Sequence, residues 1–206
     1  ASARRKRGHR CLSQGDAARL PLADESFASV VALSVCEHFD DPSAAIREAF
    51  RVLRPGGRFV ATIVLADLHE HLFYPRLARR FGLSPLARWY LRLHDYVFDH
   101  RALKPRTWWE ARLRTAGFTL ITSRGIVAPR VASWFDFWLA TAWPYRLWQR
   151  FGTPRVWRPR WFVRRCWEAF RKIDCDQGDG AVLFVVAEKP GGGPRSADDE
   201  PAAAAR

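Results

Sequence analysis

The sequence predicts an α/β domain built around parallel strands, and three features carry that expectation. First, Ser29-Val30-Val31-Ala32-Leu33-Ser34-Val35 and Phe59-Val60-Ala61-Thr62-Ile63-Val64-Leu65 are almost continuously apolar and rich in β-branched residues. Strands covered on both faces of a parallel sheet read this way. Second, Ala45, Ile46, Ala49, Phe50 and Leu53 recur between them at helical spacing and define one buried stripe. Third, the connections are short, so strand, helix and strand form a βαβ unit with a right-handed crossover.

The first strand is expected from about Phe27 to Val35, after a weak strand candidate at Cys11-Leu12-Ser13 and a polar turn. Asp40 or Asp41 supplies an N-cap, and Pro42 suits the first helical position. Pro55-Gly56-Gly57 ends that helix. Residues 67–106 read as irregular helix, interrupted at Pro75, at Gly82-Leu83-Ser84-Pro85 and at Pro105. A helix over 107–116 stops at Gly117, and a strand follows over 118–127. Gly178-Asp179-Gly180 is a turn before a last strand over 181–187.

Composition bounds the function. The 206 residues suffice for one sizeable core. The net charge of +13 is carried by arginine, with Lys6, Lys104, Lys172 and Lys189 the only lysines. Such a balance favours an anionic partner or surface, against a plainer reading as a solvated basic face. Cys11, Cys36, Cys166 and Cys175 form no CxxC pair, which argues against a zinc ribbon or a secreted disulfide framework and for a reducing, cytoplasmic compartment. The sequence shows no signal-peptide pattern and no run of about 18 apolar residues. From Gly191 to Arg206 the composition is that of a disordered tail.

The stretch GDAARLPLADESFASVVALSVCEHFDDPSAAIREAFRVLRPGGRFVATIV, residues 15–64, resembles the class I S-adenosylmethionine-dependent methyltransferases of the type 11 group. Gly15-Asp16-Ala17 with Leu20-Pro21-Leu22-Ala23-Asp24-Glu25-Ser26-Phe27 is similar to the loop before the family's fourth strand. Val35-Cys36-Glu37-His38 is similar to that strand's end, and Leu53-Arg54-Pro55-Gly56-Gly57-Arg58 to the turn into the fifth. Residues 107–127 resemble the fifth helix and sixth strand, and 181–189 the seventh strand.

The resemblance implies a Rossmann-like class I methyltransferase sheet with strand order 3-2-1-4-5-7-6. Here it would be N-terminally truncated to about strands 3 to 7, with a helical Trp/Arg-rich insert. The partial methyltransferase domain would span 1–190, with 66–106 and 130–175 as substrate or cap inserts and 191–206 as tail. S-adenosylmethionine would be the cofactor. Asp16 would accept from the adenine amino group and the Ala17 N–H would reach the ring, matching the donor–acceptor edge of the base. Leu33, Ser34 and Val35 would line the pocket, and His38 would stand at its mouth as the candidate proton acceptor. The plainer alternatives are that Asp16 caps a turn, that Asp40 and Asp41 only cap a helix, and that Glu37 and His38 are structural. An activated sulfonium needs positioning more than acid–base help, so a missing dyad does not exclude the chemistry.

Two family features are not found in the sequence: a glycine-rich loop after the first strand and an acidic end to the second. The expectation is therefore a fragment that binds cofactor poorly alone and leaves its fourth strand with a bare edge.

The acceptor side is read from the inserts. Seven of the ten tryptophans lie between 134 and 167, and residues 130–172 carry ten basic side chains. Tryptophan with arginine favours a membrane interface. The segment 134–172 is thus expected either to contact a membrane peripherally or to pack as a lid. The acceptor would be a small or lipid-like molecule, lined by His100, Arg101 and Trp138. His69-Glu70-His71 and His94-Asp95 with Asp99-His100 contain ligating residue types, but their spacing matches no standard site, so no metal ligand is assigned. Methyl transfer to a small-molecule or lipid-like acceptor leads; a non-catalytic methyltransferase-like module comes second. An RNA methyltransferase comes third, since nucleic acid lacks a supporting motif.

Overall fold

A computed structural model describes residues 13–148, 164 and 180–191, with side chains described to residue 139 in the long helix that ends at 148. Residues 11 and 12 of the weak strand candidate, the basic start, most of the 130–175 insert and with it most of the membrane-contact segment 134–172, and the tail beyond 191 lie outside the described residues.

Four strands form one sheet: β1 Phe27–Leu33, β2 Leu53–Val64, β3 Thr119–Ile126 and β4 Val182–Glu188. Their order is β1-β2-β4-β3. β1 and β2 are parallel, whereas β4 runs antiparallel to both β2 and β3. This is the order 4-5-7-6 within the class I methyltransferase sheet, so the expected Rossmann-like arrangement holds for these strands.

The parallel pair arises as expected. Helix α1, Pro42–Val52, connects β1 to β2, with Asp41 accepting from the Ala44 N–H at 3.0 Å and Pro42 in the first turn. The helix ends at Val52, earlier than the Pro-Gly-Gly signal implied, because Leu53 is already extended. Arg54 to Gly57 instead form an irregularity inside the strand, where the β1 register jumps from Phe27↔Leu53 to Ser29↔Arg58. Gly56 takes φ +78°, and a Cβ on Gly57 would meet the Arg54 carbonyl at 2.8 Å, so both glycines are required.

The core lies between one face of the sheet and helices α1 and α5. In β2 and β4 the paired residues Phe59 and Ala187, Ala61 and Val185, Ile63 and Leu183 are all buried. Ile46 and Ala49 cover them from α1, and Trp109 and Leu113 from α5, which spans Arg106–Thr115. Phe50 meets Phe118 edge-on, with centroids 4.9 Å apart.

Coverage of the second face is a correction. Val31 and Leu33 point away from the core and are each 62 % exposed. The continuous apolarity of β1 suggested burial on both sides, but among the described residues β1 is an edge strand with one bare face.

Residues 66–104 form helices α2 Leu68–His71, α3 Phe73–Arg80 and α4 Ser84–Phe98. The first break falls at Leu72, not at Pro75. Pro75 sits in the first turn of α3, where its missing N–H leaves no helical bond unmade. The second break is as expected, with Gly82 at φ +71° and Pro85 in the first turn of α4. Helix α6, Pro129–Trp148, follows β3 and packs on α2 and α3. No helix among the described residues is long and apolar enough to cross a membrane.

Candidate active site

The carboxyl ends of the parallel strands β1 and β2 are where an open α/β sheet receives a ligand. At the end of β1 the backbone of Ser34 enters the left-handed region, φ 47°. Its N–H is held by the Thr62 carbonyl at 2.9 Å and the Thr62 hydroxyl at 3.0 Å. A non-glycine residue kept in this conformation marks a position the surrounding structure over-determines, and such positions cluster at binding sites. The chain then makes one 3₁₀ turn, Cys36–His38. Cys36 and Glu37 face inward and are buried, while His38 is half-buried.

A loop from another part of the chain crosses these strand ends. Asp99 closes α4 with φ 53°, and the Arg101 and Ala102 N–H groups both donate to the Glu37 carbonyl at 2.9 Å. Leu65 and Lys104 form a parallel bridge. His38 and His100 are thereby stacked, with ring centroids 5.9 Å apart. His38 Nδ1 lies 2.9 Å from the Asp99 carbonyl oxygen. A carbonyl only accepts, so Nδ1 carries the hydrogen, and in the neutral ring Nε2 is left as the basic nitrogen. Arg101 turns outward, and its guanidinium binds Asp40 at 2.9 Å and Asp99 at 3.0 Å.

Asp16 is exposed, and its Oδ1 accepts from the Ala18 N–H at 2.9 Å, closing its own turn. Ala17 is half-buried beside it. The following loop is fixed by α1. Arg51 donates to the Leu22 carbonyl at 2.8 Å and the Leu20 carbonyl at 3.1 Å, and also binds Asp24. Glu48 accepts from the Leu20 N–H at 2.8 Å and from Arg51. The hydrogen bond from Arg51 lowers the Glu48 carboxyl to about 2. The sequence does not signal this clamp, because Arg51 and Glu48 meet the carbonyl and amide groups of residues 20–22 only once the turn folds back on α1.

Burial, with Glu37 adding to it, pushes the Cys36 thiol up to about 12. It is a packing residue here, and one Glu37 oxygen beside it is buried without a partner.

Trp138 lies on α6, stacked on Trp134 at 6.0 Å and edge-on to Phe137 at 5.2 Å. The aromatic contact from α6 toward the His100 loop runs through Phe135 and Phe98, 6.3 Å apart. Asp136, fully buried, anchors the helix by accepting from the Tyr74 N–H at 3.0 Å and from the Tyr90 hydroxyl.

An apolar cleft of about 520 Å³ opens between α3 and α4, lined by Tyr74, Leu77, Phe81, Leu86, Trp89 and Tyr90 among others. It adjoins the strand ends through a chain of rings. Tyr90 is 6.5 Å from His94, and His94 is 5.7 Å from His100. None of the cleft residues was singled out from the sequence, where the region read only as irregular helix.

Comparison with known proteins agrees with this geometry. Residues 1–61 match the family model described as "Methyltransferase domain". The demethylmenaquinone methyltransferase of Mycobacterium marinum (strain ATCC BAA-535 / M) is 37 % identical over 91 residues, 39 % of each chain. That of Mycobacterium sp. (strain KMS) is 33 % identical over 130 residues, 57 % of this chain and 54 % of the relative. The chain thus spans about half, or less, of the length of the curated relatives it matches. Among solved structures, the [4+2]-cyclase SpnF superposes with a TM-score of 0.51 at 22 % identity, over 87 % of this chain and 56 % of that one. This likeness shows the fold alone. The resemblance to class I S-adenosylmethionine-dependent methyltransferases therefore holds in the sequence of residues 1–61 and in the sheet order.

Proposed function

We propose that this chain is the acceptor-side part of an S-adenosylmethionine-dependent methyltransferase whose acceptor is apolar or lipid-like. The observation that carries the reading is the apolar cleft on α3 and α4, joined by Tyr90, His94 and His100 to the carboxyl ends of β1 and β2. The mycobacterial relatives are demethylmenaquinone methyltransferases, which supports an acceptor of that character.

The cofactor fit is partial. An exposed carboxylate at Asp16 beside the Ala17 amide suits the amino edge of adenine, and Leu33, Ser34 and Val35 offer an open strand end. The sequence supplies no glycine-rich loop for the remainder of the molecule. Among the described residues β1 is the outermost strand, and Val31 and Leu33 on its uncovered face are exposed, which supports a domain in which further elements pair with and cover it. The cofactor, when bound, supplies an activated methyl group. This chain's part is to hold the base at Asp16, to seat the acceptor in the cleft and to place His38 Nε2 where it takes a proton from an acceptor hydroxyl. His100 keeps the His38 ring in place, and Arg101 holds their loop against Asp40.

Transfer of a labelled methyl group to a lipid-soluble quinol tests the reading, using the full-length protein. Trp89→Asp puts a charge in the exposed part of the cleft and should cut transfer to that acceptor at least tenfold without altering S-adenosylhomocysteine binding. Equal transfer by W89D and the unaltered protein would remove the cleft from the acceptor site.

A further inference from the structure

We propose that His69, His94 and Asp95 form a binding site for a first-row divalent transition ion of the zinc class. The site joins the C-terminal part of α4 to the short helix α2. One ligating atom from each of the three residues lies within 4.8 Å of those of the other two. His69 Nε2 is 2.8 Å from Asp95 Oδ1, and His94 Nδ1 is 3.7 Å from the same oxygen. Tetrahedral bonds of about 2.0–2.1 Å place neighbouring ligand atoms roughly 3.3 Å apart. The observed spacings bracket that value, so small side-chain rotations complete the triangle.

A second, independent feature points into the same space. The His94 side chain is only 4 % exposed, and its Nδ1 has no hydrogen-bond partner. A buried ring nitrogen left unpaired costs free energy that an ion would recover. His100 lies just behind, also buried, with Nδ1 3.4 Å from Asp95 Oδ1. It is placed as the group that orients the ligating carboxylate.

Two imidazoles and one carboxylate leave coordination positions open, an arrangement typical of catalytic rather than closed structural sites. Nitrogen and oxygen donors favour zinc, cobalt or iron(II) over magnesium, which prefers six oxygens. The proposal does not depend on methyl transfer, because the three ligands are placed by α2 and α4 alone.

The test is calorimetric titration of Zn²⁺ into chelator-treated protein, with Co²⁺ absorbance as the spectroscopic probe. One equivalent should bind, and Co²⁺ should show low-coordinate d–d bands without a thiolate charge-transfer band. His69→Ala, at a half-buried position that tolerates substitution, should weaken Zn²⁺ binding by more than roughly tenfold, as should Asp95→Asn. His71→Ala, on the same short helix but outside the cluster, should leave it unchanged. Circular dichroism of each variant checks that the fold is kept. Sub-stoichiometric binding, an unchanged affinity in a folded H69A protein, or a thiolate band in the Co²⁺ spectrum would each overturn the site.

Discussion

His38 and His100, sixty-two positions apart in the sequence, stack with 18° between their ring planes. The contact binds the turn after β1 to the loop after α4, and so couples the carboxyl ends of the parallel strands to the helices that carry the cleft. Asp99, left-handed at the end of α4, fixes the His38 ring by accepting from Nδ1.

His38→Asn keeps a side chain of similar reach and removes the basic nitrogen. Methyl transfer to a hydroxyl acceptor should fall by about 10²-fold, the lower range for a positioned proton acceptor. Binding of S-adenosylhomocysteine should be unaltered. Steady-state rates and calorimetry on the same preparation separate the two effects, and an unchanged rate would make His38 structural.

The clamp of Arg51 and Glu48 predicts an acid-sensitive loop. Because the folded-state pKa of Glu48 is depressed, its stabilisation is fully present above the usual carboxyl value and is lost as pH falls toward about 2. The melting temperature should therefore drop between pH 5 and pH 2.5 by more in the native protein than in Glu48→Gln. Arg51→Ala should cost about 1–3 kcal/mol and speed amide exchange at Leu20. Equal acid sensitivity in E48Q would assign the drop to other carboxylates.

Cys36 should be chemically silent in the folded state. Burial and a thiol raised to about 12 leave little thiolate at pH 8. Alkylation with iodoacetamide, followed by peptide mapping, should modify Cys36 only after denaturant is added. Rapid labelling of the folded protein would contradict the packing described for the end of β1.

Much of the fold was legible because its signals are local. Asp41 and Pro42 announce α1, the apolar runs announce β1 and β2, and Gly117 separates α5 from β3. The sheet order followed from the resemblance, not from hydropathy. The bare face of β1 was not readable from its pattern, since Val31 and Leu33 are as apolar as Val30 and Ala32. The site was legible only where the chain is continuous, from Ser34 to His38. The ligating residue types of the histidine cluster are visible in the sequence, but their convergence is not, because they come from α2, α4 and the loop beyond, at spacings that mean nothing until those segments pack. Trp138 was chosen for its composition, whereas in the fold its ring lies against Trp134 and Phe137 on its own helix.

Leu113 is fully buried between α5 and the sheet, in contact with the cluster that includes Leu183 and Val185. Leu113→Ala should cost about 2–5 kcal/mol through the cavity it leaves. Urea denaturation measures this, and a loss below about 1 kcal/mol would show that α5 is not held to the sheet as described.

The most direct measurement is calorimetric titration of S-adenosylhomocysteine into the full-length protein, with and without Asp16→Ala. If the purine rests on the Asp16 turn, the native protein binds and D16A binds roughly ten- to a hundredfold more weakly, the worth of one hydrogen bond to a charged group. Identical affinities for the two proteins, or no binding by either, would contradict the placement of the cofactor at this end of the sheet.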